Sequence, residues 1–466
     1  MTDYSLTGPS AAHAIDNGWA EATWYTCPVP RELMQDLLIR RNGPAIRDTL
    51  LWFAMLASTA YAGMHLWGSW WAIIPFAFYG VFYASMSDSR WHESSHGTAF
   101  KTDWMNNVLY ELASFLVMRE ATVWRWSHTR HHSDTIIVGR DPEIAVSRPP
   151  SLWELTKGIF DLGVYPRYFE RILVHAAGRM YADEKTFIPE SDFSKVYLRA
   201  RVYVLIYASV ITTAILTSSF LLLMFIGLPN FYGSWLMVVY GLTQHACLAE
   251  NVLDHRLNCR TVYMNPLNRF CYWNMNYHVE HHMFPLVPYH ALDRVHAVVK
   301  DDMPRPYRGL IEAYREIIPA LLRMRREPGW FVQRELPKPV SPPITSAEAA
   351  VVQIAVLDWL ELSQAATLAR GHAMRVDHGP RTFAIYHTEA GTWHATDGIC
   401  THGKTHLADG LVKGDVIECP KHNGRFRVTD GQPVRPPVCK ALKTYHIENR
   451  SGTLWLQLTP APSLPT

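Results

Sequence analysis

Two long stretches of this chain carry no Asp, Glu, Lys or Arg, and they constrain the fold more than any other feature. The first runs from Thr49 to Ser87 and the second from Val202 to Ala249. A membrane-crossing helix needs ~20 apolar residues, and each stretch is about twice that. Each also has a turn-like centre, at Gly63-Met64-His65-Leu66-Trp67-Gly68 and at Gly227-Leu228-Pro229-Asn230. The pattern predicts two helical hairpins, hence four transmembrane helices. The alternative is a pair of buried hairpins in a large soluble core. A mean hydropathy of −0.07 hides this, because it averages apolar hairpins with polar segments.

The flanks set an orientation. Arg40, Arg41 and Arg47 precede the first hairpin, and Arg90 and Lys101 follow it. Arg199, Arg201, Arg256 and Arg260 border the second, and neither tip carries Lys or Arg. The positive-inside rule then places both termini and the large polar segments in the cytoplasm. Overall charge says little. Lys plus Arg total 44 against 42 for Asp plus Glu, which gives no case for nucleic acid as a partner. Seven irregularly spaced cysteines argue against a secreted disulfide scaffold. The first residues lack the basic and apolar regions of a signal peptide.

The expected division is a cytoplasmic N-terminal segment (1–45), a membrane domain (46–325), a proline-rich linker (326–350) and a small β domain (351–460). The linker is read from Pro328, Pro337, Pro339, Pro342 and Pro343. The β domain is read from short runs such as 382–386 and 453–458, separated by glycine-containing turns.

Three histidine clusters stand in the polar segments: His92 and His96, then His128, His131 and His132, then His278, His281 and His282. Residues three or four apart share a helix face, so each cluster can aim imidazoles at one point. Neutral imidazole is a common ligand of iron and zinc. His245, at the end of the expected fourth helix, must face protein or metal rather than lipid, and is the candidate ninth ligand. His255 and His290 are read as structural. Glu93 and Glu280 either orient a ligand histidine or face solvent. Trp91, Trp124 and Trp126 either line an apolar channel or, as the favoured reading, sit at the membrane interface.

A second constellation lies near the C-terminus. Cys400 and His402 are followed, after sixteen intervening residues, by Cys419 and His422. Two thiolates and two imidazoles from two loops are the ligand set of a Rieske [2Fe–2S] centre. A structural zinc site is the alternative.

The motifs HESSH, HTRHH and HVEHH, with a hairpin between the second and third, resemble the histidine boxes of the membrane fatty-acid desaturase and hydroxylase superfamily. The Gln244-His245-Ala246-Cys247-Leu248 segment is similar to the extra-histidine segment of membrane alkane hydroxylases. The resemblance implies a non-haem di-iron centre, held by the eight box histidines with His245, that activates O2 and attacks an unactivated C–H bond. The C-terminal motif resembles Rieske-type ferredoxins. Thr405 and Lys421 stand where high-potential respiratory members carry further cysteines, which points to the lower-potential, ferredoxin-like kind. The sequences HESSHGTAFKT, GRDPEI and CPKHNGRF are most similar to hydroxylases of rhizopine catabolism and their Rieske ferredoxins, here joined in one chain.

The expected fold is therefore mostly α: a four-helix transmembrane di-iron desaturase-like domain plus a small all-β Rieske domain. The expected function is O2-dependent hydroxylation or desaturation of an aliphatic, lipid-like substrate at a membrane, the bacterial inner membrane. Its cofactors would be two non-haem irons and one [2Fe–2S] cluster. The absence of a GxGxxG fingerprint assigns the NAD(P)H-dependent reductase to a separate protein. The competing readings are a membrane electron carrier without oxygenase chemistry, a soluble ring-hydroxylating oxygenase, and a hydroxylase or O-demethylase of a small polar metabolite.

Overall fold

The computed structural model describes residues 2–337, 355–356, 358–363, 365–403, 405–421 and 423–461. The chain divides into two compact units. One is helical and built on residues up to 338. The other is built on the C-terminal part and also takes in Pro28–Leu38 and Phe284–Leu286.

In the helical unit, α1 (Asn42–His65) forms the first arm of the first uncharged stretch. The chain turns at 66–69, overlapping the expected break at 63–68. The return arm is continuous: helix Ile73–Gly80, a π-helical segment Val81–Ser85, and then α2 (Met86–His96). Gly97, with φ of +69°, ends α2. Glycine takes this left-handed conformation without a Cβ penalty and so stops the helix directly after the first histidine box. Next come α3 (Asp103–Leu116), α4 (Ala121–Ser133), α5 (Tyr165–Ala176) and α6 (Phe193–Leu216).

The second stretch departs from the expected hairpin. Its return arm is not one helix but three pieces, Leu221–Phe225, Pro229–Gly233 and α7 (Trp235–His245). The chain leaves α6 at 217–220, before the Gly227–Asn230 break. Pro229 starts a new helix, because proline cannot donate into a preceding turn. Among the described residues, one helix, Glu190–Leu216, is long and apolar enough to cross a membrane.

A glycine pair sets the packing of these arms. A Cβ on Gly233 would stand 2.0 Å from the Gly80 carbonyl carbon, and one on Gly80 would stand 2.3 Å from the Tyr232 ring. Ser85 Oγ bonds the Gly233 carbonyl at 2.5 Å and accepts from the Met237 N–H at 2.8 Å. The broken arm is thereby fastened to the helix that carries the first histidine box. The third box forms its own short helix, α8 (His278–Met283), wholly buried.

The second unit is all β. Its strands are β1 (Ala355–Val356), β2 (Trp359–Glu361), β3 (His372–His378), β4 (Arg381–His387), β5 (Trp393–Asp397), β6 (Leu411–Lys413), β7 (Val416–Glu418), β8 (Arg425–Arg427), β9 (Pro433–Arg435), β10 (Thr444–Arg450) and β11 (Thr453–Pro460). A seven-stranded sheet has the order β1-β2-β11-β10-β5-β4-β3, and a four-stranded sheet runs β6-β7-β8-β9. All pairings are antiparallel. One core, with Leu360, Phe383, Ile385 and Leu456, packs on the larger sheet. A second gathers Tyr386, Ile417 and Phe426 around Cys400 and Cys419.

Candidate metal centres

The nine candidate histidines, all in the helical unit, converge in two groups. His92, His96, His128, His132 and His281 form one; His131, His245, His278 and His282 form the other. Within each group the donor atoms lie within 4.8 Å of one another. The HxxHH spacing explains the split. Adjacent helical residues point about 100° apart, so the last two histidines of each HxxHH cluster face different points, the first sides with the one four residues on, and each such cluster divides between two points instead of aiming at one. So α4 sends His128 and His132 to one group and His131 to the other, and α8 divides its three in the same way.

The ring nitrogens approach as ligands of a common ion would. His92 Nε2 lies 2.8 Å from His281 Nε2, and His128 Nε2 lies 3.2 Å from both His96 Nε2 and His132 Nε2. In the other group, His278 Nε2 is 2.9 Å from His245 Nε2 and 3.0 Å from His282 Nε2. Adjacent ligands on an ion with metal–nitrogen bonds of about 2.1 Å are spaced in this way. Burial, reinforced by neighbouring imidazoles, pushes His92, His132, His278, His281 and His282 well below the ordinary histidine range. They therefore stay neutral, the form that binds metal.

The opposite ring nitrogen of four of the nine candidate ligands is pinned. His128 Nδ1 lies 3.0 Å from Glu143 Oε2, His131 Nδ1 2.8 Å from Asp141 Oδ2, His282 Nδ1 3.1 Å from Thr135 Oγ1, and His245 Nδ1 2.8 Å from the Asn258 carbonyl. Such contacts fix the tautomer and turn Nε2 inward. Burial would raise the Glu143 carboxyl, but the His128 imidazole and its hydrogen bond hold it down at about 2.

Asp141 and Glu143 were not among the expected site residues. They lie in the Gly139–Ile144 loop, where no spacing rule links them to α4. Glu93 and Glu280, offered as orienting groups, have their hydrogen bonds among the described residues elsewhere than on a box histidine. Glu93 accepts from Thr98 Oγ1 at 2.6 Å and the Tyr289 N–H at 3.1 Å; Glu280 contacts His296 at 2.5 Å and Thr261 at 2.6 Å. Neither faces solvent. Sequence adjacency misled, because a neighbour on a helix points away from the face its histidine uses. His255 stacks on Trp24 at 4.4 Å, in keeping with a structural role, yet it also groups with Cys259 and His282.

A cavity of about 960 Å³ opens onto both histidine groups through His92, His128, His131 and His245. Trp91 and Trp124 line it, while Trp126 lies outside its lining and donates to Asp192 at 2.8 Å. Trp91 and Trp126 are buried, which corrects the interface reading; Trp70 and Trp71 are exposed instead. Arg119 sits over Trp91 at 4.3 Å and over Trp124 at 4.8 Å, and pairs with Asp88.

In the β unit, Cys400 and Cys419 are buried in one core, on loops flanked by β5 and β6 and by β7 and β8. The hydrogen bond between the two thiols holds Cys400 down at about 7, with help from backbone N–H groups of His402 and Gly403 and against the opposing effect of burial. That favours the thiolate, which is the ligand form. A Cβ on Gly424 would meet Val438 at 2.6 Å, so the second loop requires glycine for its close approach. His402 is exposed, and His422 lies outside the described residues. Two adjoining thiols, one leaning to thiolate, with an imidazole on the first loop fit a Rieske cluster.

Residues 68–314, over half of the chain, match the pattern of the family "Fatty acid desaturase". The chain belongs to the fatty acid desaturase family. This family uses a di-iron centre at histidine-rich sites, and the two imidazole groups fit it. Residues 358–446 match the Rieske [2Fe-2S] domain, which implies the iron–sulfur cluster. The C-terminal part is 37% identical over 101 residues to the ferredoxin component of the naphthalene 1,2-dioxygenase system of Pseudomonas putida, covering 22% of this chain and 96% of that one. It is 41% identical over 78 residues to the biphenyl dioxygenase ferredoxin subunit of Pseudomonas sp. strain KKS102, covering 16% and 71%. Among solved structures, the complex of reduced oxygenase and oxidised ferredoxin in carbazole 1,9a-dioxygenase matches at 32% identity, covering 23% of this chain and 98% of that chain, with a TM-score of 0.22. This desaturase-family chain thus joins an oxidoreductase domain to an electron-transfer domain.

Proposed function

We propose that this protein is a membrane-bound, O2-dependent hydroxylase or desaturase of an aliphatic, lipid-like substrate, fed with electrons by its own Rieske domain. The observation that carries this reading is the convergence of nine imidazoles, eight buried and that of His245 half-buried, in two groups beside one cavity. His92, His96, His128, His132 and His281 would hold one iron, and His131, His245, His278 and His282 the other. Cys400, His402, Cys419 and His422 would hold the cluster. When bound, the iron pair supplies the oxidising power for an unactivated C–H bond.

The chain's own residues do the rest. Asp141 and Glu143 keep His131 and His128 in one tautomer. Trp91, Trp124 and Met237 give the cavity wall an apolar surface that excludes water from the reacting carbon. Which C–H bonds face the irons decides between hydroxylation and desaturation. Membrane residence is supported by helix Glu190–Leu216 and by exposed Leu205, Ile211, Ile215 and Leu216 along it. A separate NAD(P)H-dependent reductase would deliver electrons to the cluster, and the cytoplasmic orientation follows from the arginine-bearing flanks. Metal analysis of the purified full chain tests the reading: about four irons and acid-labile sulfide are expected, and zinc alone overturns it. Comparing lipids and metabolites of cells with and without the gene then identifies the substrate.

A further inference from the structure

Carboxylates hold two imidazoles of α4 from behind, but α8 is seated in another way. Thr135 holds His282, while the Nδ1 atoms of His278 and His281 are buried and have no hydrogen-bond partner among the described residues. Their aim therefore follows from the placement of α8 itself. That helix serves both groups, with His281 in one and His278 and His282 in the other. It is only six residues long, under two turns, too short to be stable without its neighbours. Glu280, in its middle, is fully buried. Both carboxylate oxygens are used: Thr261 Oγ1 donates to Oε2 at 2.6 Å, and His296 Nδ1 lies 2.5 Å from Oε1. The Tyr263 hydroxyl lies 2.9 Å from His296 Nε2. Thr261 and Tyr263 belong to one short segment, 258–263, and that segment also reaches the ninth histidine. The Asn258 carbonyl lies 2.8 Å from His245 Nδ1, and the Arg260 N–H donates to the Gln244 carbonyl at 3.0 Å. It further runs beside the entry to α8, where the Val262 N–H donates to the Asn276 carbonyl at 2.9 Å and Asn276 Nδ2 to the Val262 carbonyl at 2.8 Å.

Apolar packing would hold a core helix without desolvating a charge, whereas a buried carboxylate is tolerated only when its oxygens are satisfied. What the carboxylate adds is direction, because each hydrogen bond fixes a distance and an angle. Direction matters here. Turning α8 by about 10° about its axis moves a ring nitrogen about 6 Å out by about 1 Å, beyond the ~0.5 Å that a preorganised site tolerates. We propose that Glu280 is a positioning residue for the third histidine box. By tying α8 to the 258–263 segment and to His296, it sets the rotation of the helix and so the aim of His278, His281 and His282 together. Because α8 contributes to both groups, the same tie sets the spacing of the two metal ions. The shared segment keeps His245 in register with them. The inference rests on the reading of the nine histidines as iron ligands.

The test compares Glu280→Leu and Glu280→Gln with the wild type, each as the full chain in detergent. Iron affinity is measured by competition with a chelator, and the Mössbauer spectrum is recorded on chains loaded with iron-57. The cluster contributes equally to every spectrum, so differences report the histidine-held iron. Leucine fills the space but makes neither hydrogen bond; E280L is expected to weaken the histidine-held iron about 10- to 100-fold and to change its spectrum. Glutamine can still accept from Thr261, so E280Q is expected to stay closer to the wild type in both readouts. Should E280L fail to fold, Thr261→Val, which removes one of the two bonds, decides, with a smaller weakening and a changed spectrum expected. A folded E280L, or T261V in its place, that melts at a lower temperature yet binds iron with wild-type affinity and spectrum would show that Glu280 only stabilises the fold, and overturns the proposal. Failure of the parent reading shows separately, as a wild-type chain with no iron beyond its cluster, and the inference falls with it.

Discussion

Asp141 and Glu143 never reach the irons of the proposed centre, yet each decides which nitrogen of a ligand histidine does. With Asp141→Asn the acceptor at 2.8 Å from His131 Nδ1 becomes a neutral amide that can equally present a donor. Iron affinity of the full chain, measured by competition with a chelator, is expected to fall about 10- to 100-fold; unchanged affinity would remove Asp141 from this role. The nine histidines were legible in the sequence because imidazole at helical spacing has few other uses. Their carboxylate partners were not, because a loop carries no periodicity to say where Asp141 points. His175 gives a second test at this scale. Burial pushes it down, but hydrogen bonds from its ring to Glu120 and Glu184 raise it to about 9, above an ordinary value of 6.5. A raised histidine stabilises the fold fully below pH 6.5, and the contribution is lost as pH rises through 9. A shift of this size corresponds to about 3 kcal/mol. The melting temperature of the full chain in detergent should therefore drop between pH 7 and 10. In His175→Gln it should start lower and drop less; equal pH profiles would contradict the assignment.

Two glycines do at the level of helices what those carboxylates do for single rings. Gly80 and Gly233 let two segments touch backbone to backbone, and the same crossing is tied by Ser85. The π-helical segment Val81–Ser85 begins just after Gly80, and α2 with His92 and His96 follows it. On the other arm, α7 ends at His245 twelve residues after Gly233. The crossing thus sets the register of ligands from both groups. Gly233→Ala would place a methyl 2.0 Å from the Gly80 carbonyl carbon, where backbone rather than a flexible side chain must yield. A loss of about 1–3 kcal/mol is expected, with His245 displaced. The checks are a lower melting temperature and reduced iron content in the group that holds His245; a variant with wild-type iron loading would show that the crossing is not what aligns the site. The uncharged run announced a hairpin here. It could not announce that the return arm breaks into three helices, since apolar composition records burial or lipid exposure and not the local breaks made by Pro229 and the Gly233 crossing.

The whole chain joins an oxidoreductase domain to an electron-transfer domain that its relatives carry as a separate ferredoxin component. In those named systems the ferredoxin and its oxygenase are distinct proteins, so their encounter depends on concentration. In the proposed reaction covalent fusion would replace that encounter with an intramolecular one, at an effective concentration set by linker length and stiffness and about millimolar for a linker that spans the two sites. In that proposed reaction the iron pair would take electrons one at a time from the cluster, so a fused donor would gain most when electron supply limits turnover. This gain can be measured by placing a protease site in the proline-rich 327–343 segment and cleaving the purified full chain. Substrate-dependent O2 consumption, with a reductase at fixed concentration, is expected to fall at least tenfold when cleaved protein is held at about a micromolar, far below that effective concentration. Raising the concentration of the released C-terminal fragment should restore it along a saturating curve. A cleaved enzyme that keeps its full rate at every dilution would show that the two domains stay associated without the tether, and the fusion would then have to be explained by something other than proximity.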